Sequence, residues 1–332
     1  MEEQKNNFIK RFLSIRGMKT SLVAFVGWLV IFVIFGLIDP VVFSQGNILN
    51  VLRSMSKYLI IGIGQSFLLI SANIDLSIGS VVAVSVMTTA TMMTKGVSPI
   101  AACLVALVLC LVIGLINGIL VGFFKIPPFI ATLGTMFVGR GVAYMVNNNY
   151  NTDAIKSGIG AEASDAFQNF FYYGKTLGIY NAFWIAMVLF VIFFFVLQKT
   201  RYGRYLYAVG SNPNAAQLSG ISVCKITVVA YLISAFCAFV CGLVLCGQSG
   251  MGSMESGNTY EMCSVAASVI GGISPLGGTG MLLGTIAGAG VWQTLENGLS
   301  LLGVQIGMQR IVVGVIVVAA LFADILLRRR KK

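Results

Sequence analysis

Apolar residues gather in ten blocks along the chain, at about 22–38, 57–72, 76–94, 98–124, 129–146, 179–197, 223–247, 259–272, 281–302 and 306–327. A helix needs about 20 apolar residues to cross a bilayer, so the pattern predicts an all-α polytopic membrane protein of about ten transmembrane helices. Blocks 57–72 and 259–272 fall short of about 17 residues and are expected to be tilted, broken or re-entrant, where protein or a polar cavity covers the backbone. The first block follows a basic tail as a signal peptide would, but it ends in Leu37-Ile38-Asp39-Pro40 without a small-x-small cleavage site and is expected to be retained.

Composition narrows the classes. Of 332 residues, 57% are hydrophobic and 10% charged, too few polar groups to clothe a water-soluble globule. With no histidine, His-dependent triads and His-containing metal sites are excluded. The seven cysteines lie in or beside apolar blocks with no C-x-x-C pair, and read as small apolar residues. The net charge of +11 is concentrated at predicted membrane boundaries, a topogenic signal rather than a nucleic-acid surface.

Those charges orient the spans. The tail 1–21 carries Lys5, Lys10, Arg11, Arg16 and Lys19, and the tail 328–332 is wholly basic. The loop 198–225 carries Lys199, Arg201, Arg204 and Lys225, so all three are expected in the cytoplasm. The loops 147–178 and 248–258, with Asp153, Glu162, Asp165 and Glu255, are expected outside. Ten crossings within 22–327 satisfy every assignment, with both termini cytoplasmic.

Within the spans, ionisable residues are costly and hence candidates for function: Asp75, Arg140, Glu261, Glu296 and Arg310. Mutual pairing, such as Glu296 with Arg310, is their structural alternative, and Asp75 can equally cap the helix that starts at Leu76. Neutral polar side chains are more numerous, among them Gln65, Asn73, Asn117, Thr132 and Asn297. With Phe129 and Tyr260 they suit a neutral polyhydroxylated solute, while hydrogen bonds between helices account for part of the set. The glycines favour close helix packing, and the run around Pro275 cannot be a plain helix interior. Gly277-Gly278-Thr279-Gly280 lacks the Lys-Ser/Thr of a phosphate loop. Gly174-Lys175-Thr176 lacks the leading glycine of one. Asn117-Gly118 and Asn297-Gly298 hint at an internal duplication.

The loop 198–225 carries helix punctuation at its centre. Asn212 is an N-cap, Pro213 suits the first helical position, and Gly220 closes about two turns. A short capped helix with small residues, preceded by two arginines, is a surface shaped to sit in another protein's groove. Its residues Gly203, Arg204, Ala208, Gly210, Asn212, Ala215, Ala216, Ser219, Gly220 and Ile221 match G-R-x-x-x-A-x-G-x-N-x-x-A-A-x-x-S-G-I. This resembles the coupling loop of ATP-binding cassette importer permeases of the monosaccharide (ribose, galactose and xylose) branch. Asp75-Leu76-Ser77 with Gly79, Asn117-Gly118, Pro128 to Met136, Arg140-Gly141, Tyr260-Glu261 and Asn297-Gly298-Leu299 fall in that family's order. Asn73 and Met262-Cys263 depart from its usual glycine and Leu-Asp.

The resemblance implies a non-enzymatic permease of the bacterial cytoplasmic (inner) membrane, without cofactor. It would line a sugar path with a second copy or paralogue. ATP would be bound by a cytosolic ATPase subunit docked on Arg201, Gly203, Arg204, Gly210, Asn212, Ala215, Ala216, Ser219 and Gly220. An extracytoplasmic sugar-binding protein would deliver the solute to a path including Gln65, Asn73, Asp75, Asn117, Phe129, Thr132, Tyr260, Glu261 and Asn297. Membrane lipids surround the chain, and no nucleic acid is implied. Ribose is the first choice of solute. Galactose, xylose, inositol, an autoinducer sugar or a nucleoside are alternatives, as is an ion-coupled secondary transporter, which would need more intramembrane acids.

Overall fold

The computed structural model describes residues 17–312 together with 314, 315 and 318. Most of the N-terminal tail, the last part of block 306–327 and the tail 328–332 lie outside the described residues. Helices dominate. The large ones are α1 (Met18–Ile38), α2 (Gln45–Ile70), α3 (Ile78–Thr94), α4 (Pro99–Gly122) and α5 (Pro128–Met145). Residues 147–178 fold into the short α6 (Lys156–Ile159) and α7 (Ala161–Gln168), a π-helical turn Asn169–Tyr173, and a hairpin of β1 (Lys175–Thr176) and β2 (Ile179–Tyr180). Then come α8 (Asn181–Lys199), α9 (Arg201–Ser211), α10 (Pro213–Leu218), α11 (Val223–Ser249), α12 (Tyr260–Ile270) and α13 (Leu282–Leu301), and helix resumes at 306–312.

Helices α1, α4, α8 and α11 are each long and apolar enough to cross a membrane. The first three stand at the periphery and expose apolar side chains such as Val23, Val108 and Val191, as lipid-facing helices do. α3 and the second half of α2, buried almost throughout, form the core together with the larger part of α11.

One short block proves long. The expected element 57–72 is the inner part of a 26-residue helix, α2, begun by Ser44, whose hydroxyl accepts from Asn47 N at 3.2 Å. Hydropathy missed residues 45–56 because Asn47, Asn50, Arg53, Ser54 and Ser56 are polar. Tertiary contacts hold them in place. Asn47 pairs reciprocally with Asn297 at 3.1 and 2.9 Å, and the Arg53 guanidinium lies over the rings of Tyr180, Tyr172 and Tyr173 at 4.2, 4.9 and 5.6 Å. Burial pushes the Tyr172 phenol pKa up, against the opposing pull of Arg53.

The other short block is short in fact. α12 has 11 residues, about 16 Å of helix, roughly half of a bilayer core. It is preceded by the non-helical segment 250–259, nearly all of it within the expected outside loop 248–258. Its upper part pairs with the long 147–178 loop, through Thr152 N to Gly252 O at 2.9 Å and Ile155 N to Gly250 O at 2.8 Å. Its lower part descends along α3, past Ala90 and Met87 at Gly252, to Gly79 and Val82 at Gly257. Val82 lies about 18 Å below the end of α3, taking about 1.5 Å per residue.

The chain divides into two halves that run in opposite senses. α2 (26 residues) ends against the 198–225 loop, whereas α11 (27 residues) starts from it. Each is followed by a non-helical segment, 71–77 or 250–259, and a shorter helix, α3 or α12. Next come α4 with Asn117-Gly118 and α13 with Asn297-Gly298. α4 runs towards the 198–225 face, where Gly122 meets Cys224 and Thr227, and α13 runs away from it. The duplicated Asn-Gly pairs therefore mark corresponding places in an inverted repeat.

Candidate docking loop and translocation path

Residues 200–220 make two consecutive helices because each has a cap. The Thr200 hydroxyl accepts from Gly203 N at 3.3 Å to start α9, and Asn212 Oδ1 accepts from Ala215 N at 3.0 Å to start α10. Gly220, at φ +79°, ends α10. The inner face of α9 presents Gly203, Leu206, Val209 and Gly210, all buried. Tyr207 Oη donates to Gly280 O at 2.7 Å.

Gly210 sits where any Cβ would collide with the Ile70 carbonyl at the end of α2 and would come within 2.8 Å of Gly278 N. Gly278 N in turn donates to that same carbonyl at 2.8 Å. The glycine run 277–280, which carries no nucleotide motif, is thus the seat on which the loop rests. Gly17, just before α1, packs on Gly280 and Met281, so the start of α1 shares this face.

The nine loop residues singled out from sequence divide into two groups. Arg201, Arg204, Asn212, Ala215, Ser219 and Gly220 are exposed, while Gly203, Gly210 and Ala216 turn inward and are buried. Sequence reasoning missed Leu218, which is 91% exposed at the end of α10. The readable signal was that Leu218 is the one large apolar residue in the capped stretch 212–220.

Of the path candidates, Asp75 and Asn117 are brought together. Asp75 accepts from Ser77 N at 2.8 Å and Ser77 Oγ at 2.6 Å through one oxygen, and from Ser234 Oγ at 2.9 Å through the other. Asn117 donates to Ser77 Oγ at 2.8 Å and accepts from Thr135 Oγ1 at 2.6 Å. This chain ties α3, α4, α5 and α11 together, and Tyr231 Oη adds a bond to Ile74 O at 2.9 Å. The network is buried and its groups satisfy one another, so it holds the turn 71–77 in place.

The remaining candidates are dispersed. Asn73 bonds back to Ser71, and Thr132 to Pro128 O, both as local turns. Asn297 lies with Asn47 near the opposite face. Gln65 is fully buried with neither side-chain atom hydrogen-bonded. Phe129 is exposed, and Tyr260 and Glu261 are half-buried at the start of α12. Glu296 does not pair with Arg310, which is exposed. It accepts instead from Tyr58 Oη at 2.9 and 2.7 Å and Trp292 Nε1 at 3.0 Å, a cluster that sequence reasoning missed because Tyr58 is far away along the chain. Lys175 and Thr176 of the incomplete phosphate motif form β1, with Lys175 over the Tyr180 ring at 4.8 Å.

Comparison with known proteins gives a consistent outcome. The family described as branched-chain amino acid transport system / permease component matches residues 47–321. The ribose import permease protein RbsC of Haemophilus influenzae is 34% identical over 332 residues, 100% of this chain and 99% of that relative. RbsC of Bacillus subtilis is 34% identical over 308 residues, 93% of this chain and 94% of its own. The D-allose transport system permease protein AlsC of Escherichia coli is 33% identical over 302 residues, 90% of each. No solved structure matches the chain.

Proposed function

The chain belongs to the family of branched-chain amino acid transport system permease components, and from that premise we propose that it forms the path for a ribose-like monosaccharide in an ATP-binding cassette importer. The observation that carries this reading is the 34% identity to a ribose import permease over the full length of both chains. The protein is a transport subunit and a multi-pass protein of the bacterial cytoplasmic membrane.

In this reading the chain crosses the membrane ten times, with both termini and the 198–225 loop in the cytoplasm and the 147–178 loop outside. A separate ATPase subunit binds ATP and docks on α10 and the exposed arginines of α9. A binding protein brings the sugar to the outer face, and a second permease copy or paralogue completes the path. ATP binding and hydrolysis in the partner move α9 and α10 as a lever. Their seat on the end of α2 and on the 271–281 loop carries that movement to α12 and α13. This chain breaks no covalent bond.

The test is reconstitution of the purified permease with its ATPase subunit and a panel of sugar-loaded binding proteins. Ribose uptake driven by ATP, with ATPase stimulated by the ribose-loaded binding protein, is the expected result. Stimulation by allose alone would move the solute assignment. Solute carriage by the isolated chain along an ion gradient would replace the importer reading with a secondary transporter.

A further inference from the structure

Between α11 and α12, residues 250–259 have no regular structure and run along α3 to about 18 Å from its end, which in the ten-span reading above is about half of a bilayer core. Lipid tolerates no such backbone, because unpaired N–H and C=O groups have no water there to satisfy them. Non-helical segments at membrane depth occur only where protein buries them or where they line a polar cavity. Protein buries one side of this segment. Gly257, at φ +71°, lies against the Gly79 carbonyl and Val82 of α3, and a Cβ on Gly79 would collide with Gly257 O and the Glu261 carboxylate. From α5, Arg140 Nη1 donates to Met254 O at 3.1 Å and Ser256 O at 2.9 Å.

The other side is bare. Glu255, Asn258, Thr259 and Met262 are exposed, and Tyr260 and Glu261 half-exposed, although Gly257 lies about 18 Å below the end of α3. Thr259 is held at φ +67°, a conformation that β-branched residues avoid, and its side chain does not cap α12. Such strain persists only where surrounding structure fixes it.

Resting on the importer reading above, we propose that residues 258–261 are the sugar-contacting station of the path, with Asn258 and Thr259 setting which polyol is accepted and Arg140 positioning them. The Asn258 carboxamide, whose Nδ2 donates to Glu255 Oε2 at 3.0 Å, and the Thr259 hydroxyl offer donors and acceptors suited to vicinal hydroxyl groups, beside the Tyr260 ring, while the Glu261 carboxylate is packed against Gly79. Gln65, Asn73, Asp75 and Asn117 are then parts of the scaffold.

The experiment uses the full importer, reconstituted with ATPase and binding protein, carrying single cysteines at 258 or 259 (Asn258→Cys, Thr259→Cys). The seven native cysteines are buried or half-buried, and unsubstituted protein supplies the background. A membrane-impermeant thiol reagent should modify Thr259→Cys in at least one nucleotide state, and saturating sugar should slow modification at least fivefold. Val108→Cys, on the lipid face of α4, should stay unmodified. Thr259→Val should shift the ratio of ribose to allose uptake at least tenfold through KM, with Thr259→Ser restoring it.

Unreactive cysteines at both positions in every nucleotide state, in protein that still imports sugar, would overturn the station while leaving the importer intact. An unaltered sugar ratio in both Thr259→Val and Asn258→Leu would do the same. If the unsubstituted complex shows no ATP-driven uptake, the importer reading has failed instead, and the two failures are told apart.

Discussion

Residues 71–77 and 250–259 occupy matching places in the two inverted halves, each interrupting the passage from a long helix to a shorter one. In the first half, Asp75 and Ser77 are buried and every oxygen of the Asp75 carboxylate is used. In the second half, corresponding backbone is fastened on one side by Arg140 and left exposed on the other at Asn258 and Thr259. Two breaks of similar topology thus have opposite chemistry. A sealed polar network rigidifies a pivot. An open one at membrane depth demands a polar solute or water beside it. The difference teaches that a polar residue within a span indicates function only once its partners are known.

The contrast is broken most directly at Asp75. Asp75→Leu leaves the Ser77 N–H and two serine hydroxyls buried without acceptors, at about 1–3 kcal/mol each, and a loss of about 4 kcal/mol in total is expected. Folded yield and thermal unfolding in detergent should fall sharply. Thr259→Val should leave unfolding within about 0.5 kcal/mol of the unsubstituted protein, as surface substitutions do. Equal damage from both would erase the distinction between sealed and open halves.

A second contrast lies within the docking loop. Leu218 is exposed and Gly210 is wedged against the Ile70 carbonyl. Leu218→Asp is expected to weaken retention of the ATPase subunit by about 2 kcal/mol, roughly 30-fold, without changing the unfolding temperature. Gly210→Val should lower both, because it displaces the loop from its seat. Pull-down against unfolding, measured on the same preparations, separates an external contact from an internal one.

Arg140 provides an intermediate case. Arg140→Gln removes two charge-assisted bonds to the carbonyls of Met254 and Ser256, worth about 1.5 kcal/mol in this half-exposed setting. Faster labelling of Thr259→Cys and a several-fold lower maximal uptake rate are expected, with Arg140→Lys restoring part of the rate. Unchanged labelling would mean that the segment is held by its glycine contacts with α3 alone.

Much of this arrangement was legible in the sequence, for identifiable reasons. Runs of Leu, Ile, Val and Phe mark α1, α4 and α8, since lipid-facing helices cannot be other than apolar, and a similar run marks α11 although most of it is buried. Asn212, Pro213 and Gly220 mark α10, since caps depend on residues next to one another. The first half of α2 was invisible, because Asn47 and Arg53 are partnered by Asn297 and by Tyr172, Tyr173 and Tyr180, distant in sequence. The course of residues 250–259 along α3 was invisible as well. Hydropathy gives a polar stretch the same value whether it stays by the end of a helix or runs along its side, and only contacts with Gly79 and Val82 tell them apart.

The smallest effect tests whether the two Asn-Gly pairs play the same part in their halves. Asn117 is locked to Ser77 and Thr135 on the sealed side, whereas Asn297 exchanges two bonds with Asn47 alone. A double-mutant cycle on Asn47→Ala and Asn297→Ala isolates that exchange, and coupling between membrane helices averages about 0.6 kcal/mol. The cycle on Asn117→Ala and Ser77→Ala should give a larger coupling, because removing either member also frees a hydrogen-bonding group of Asp75 or Thr135 inside the network. Unfolding free energies of the six variants, measured in one detergent, decide the order. Equal couplings would mean that the two asparagines pin their halves alike and that the asymmetry begins only at the breaks themselves.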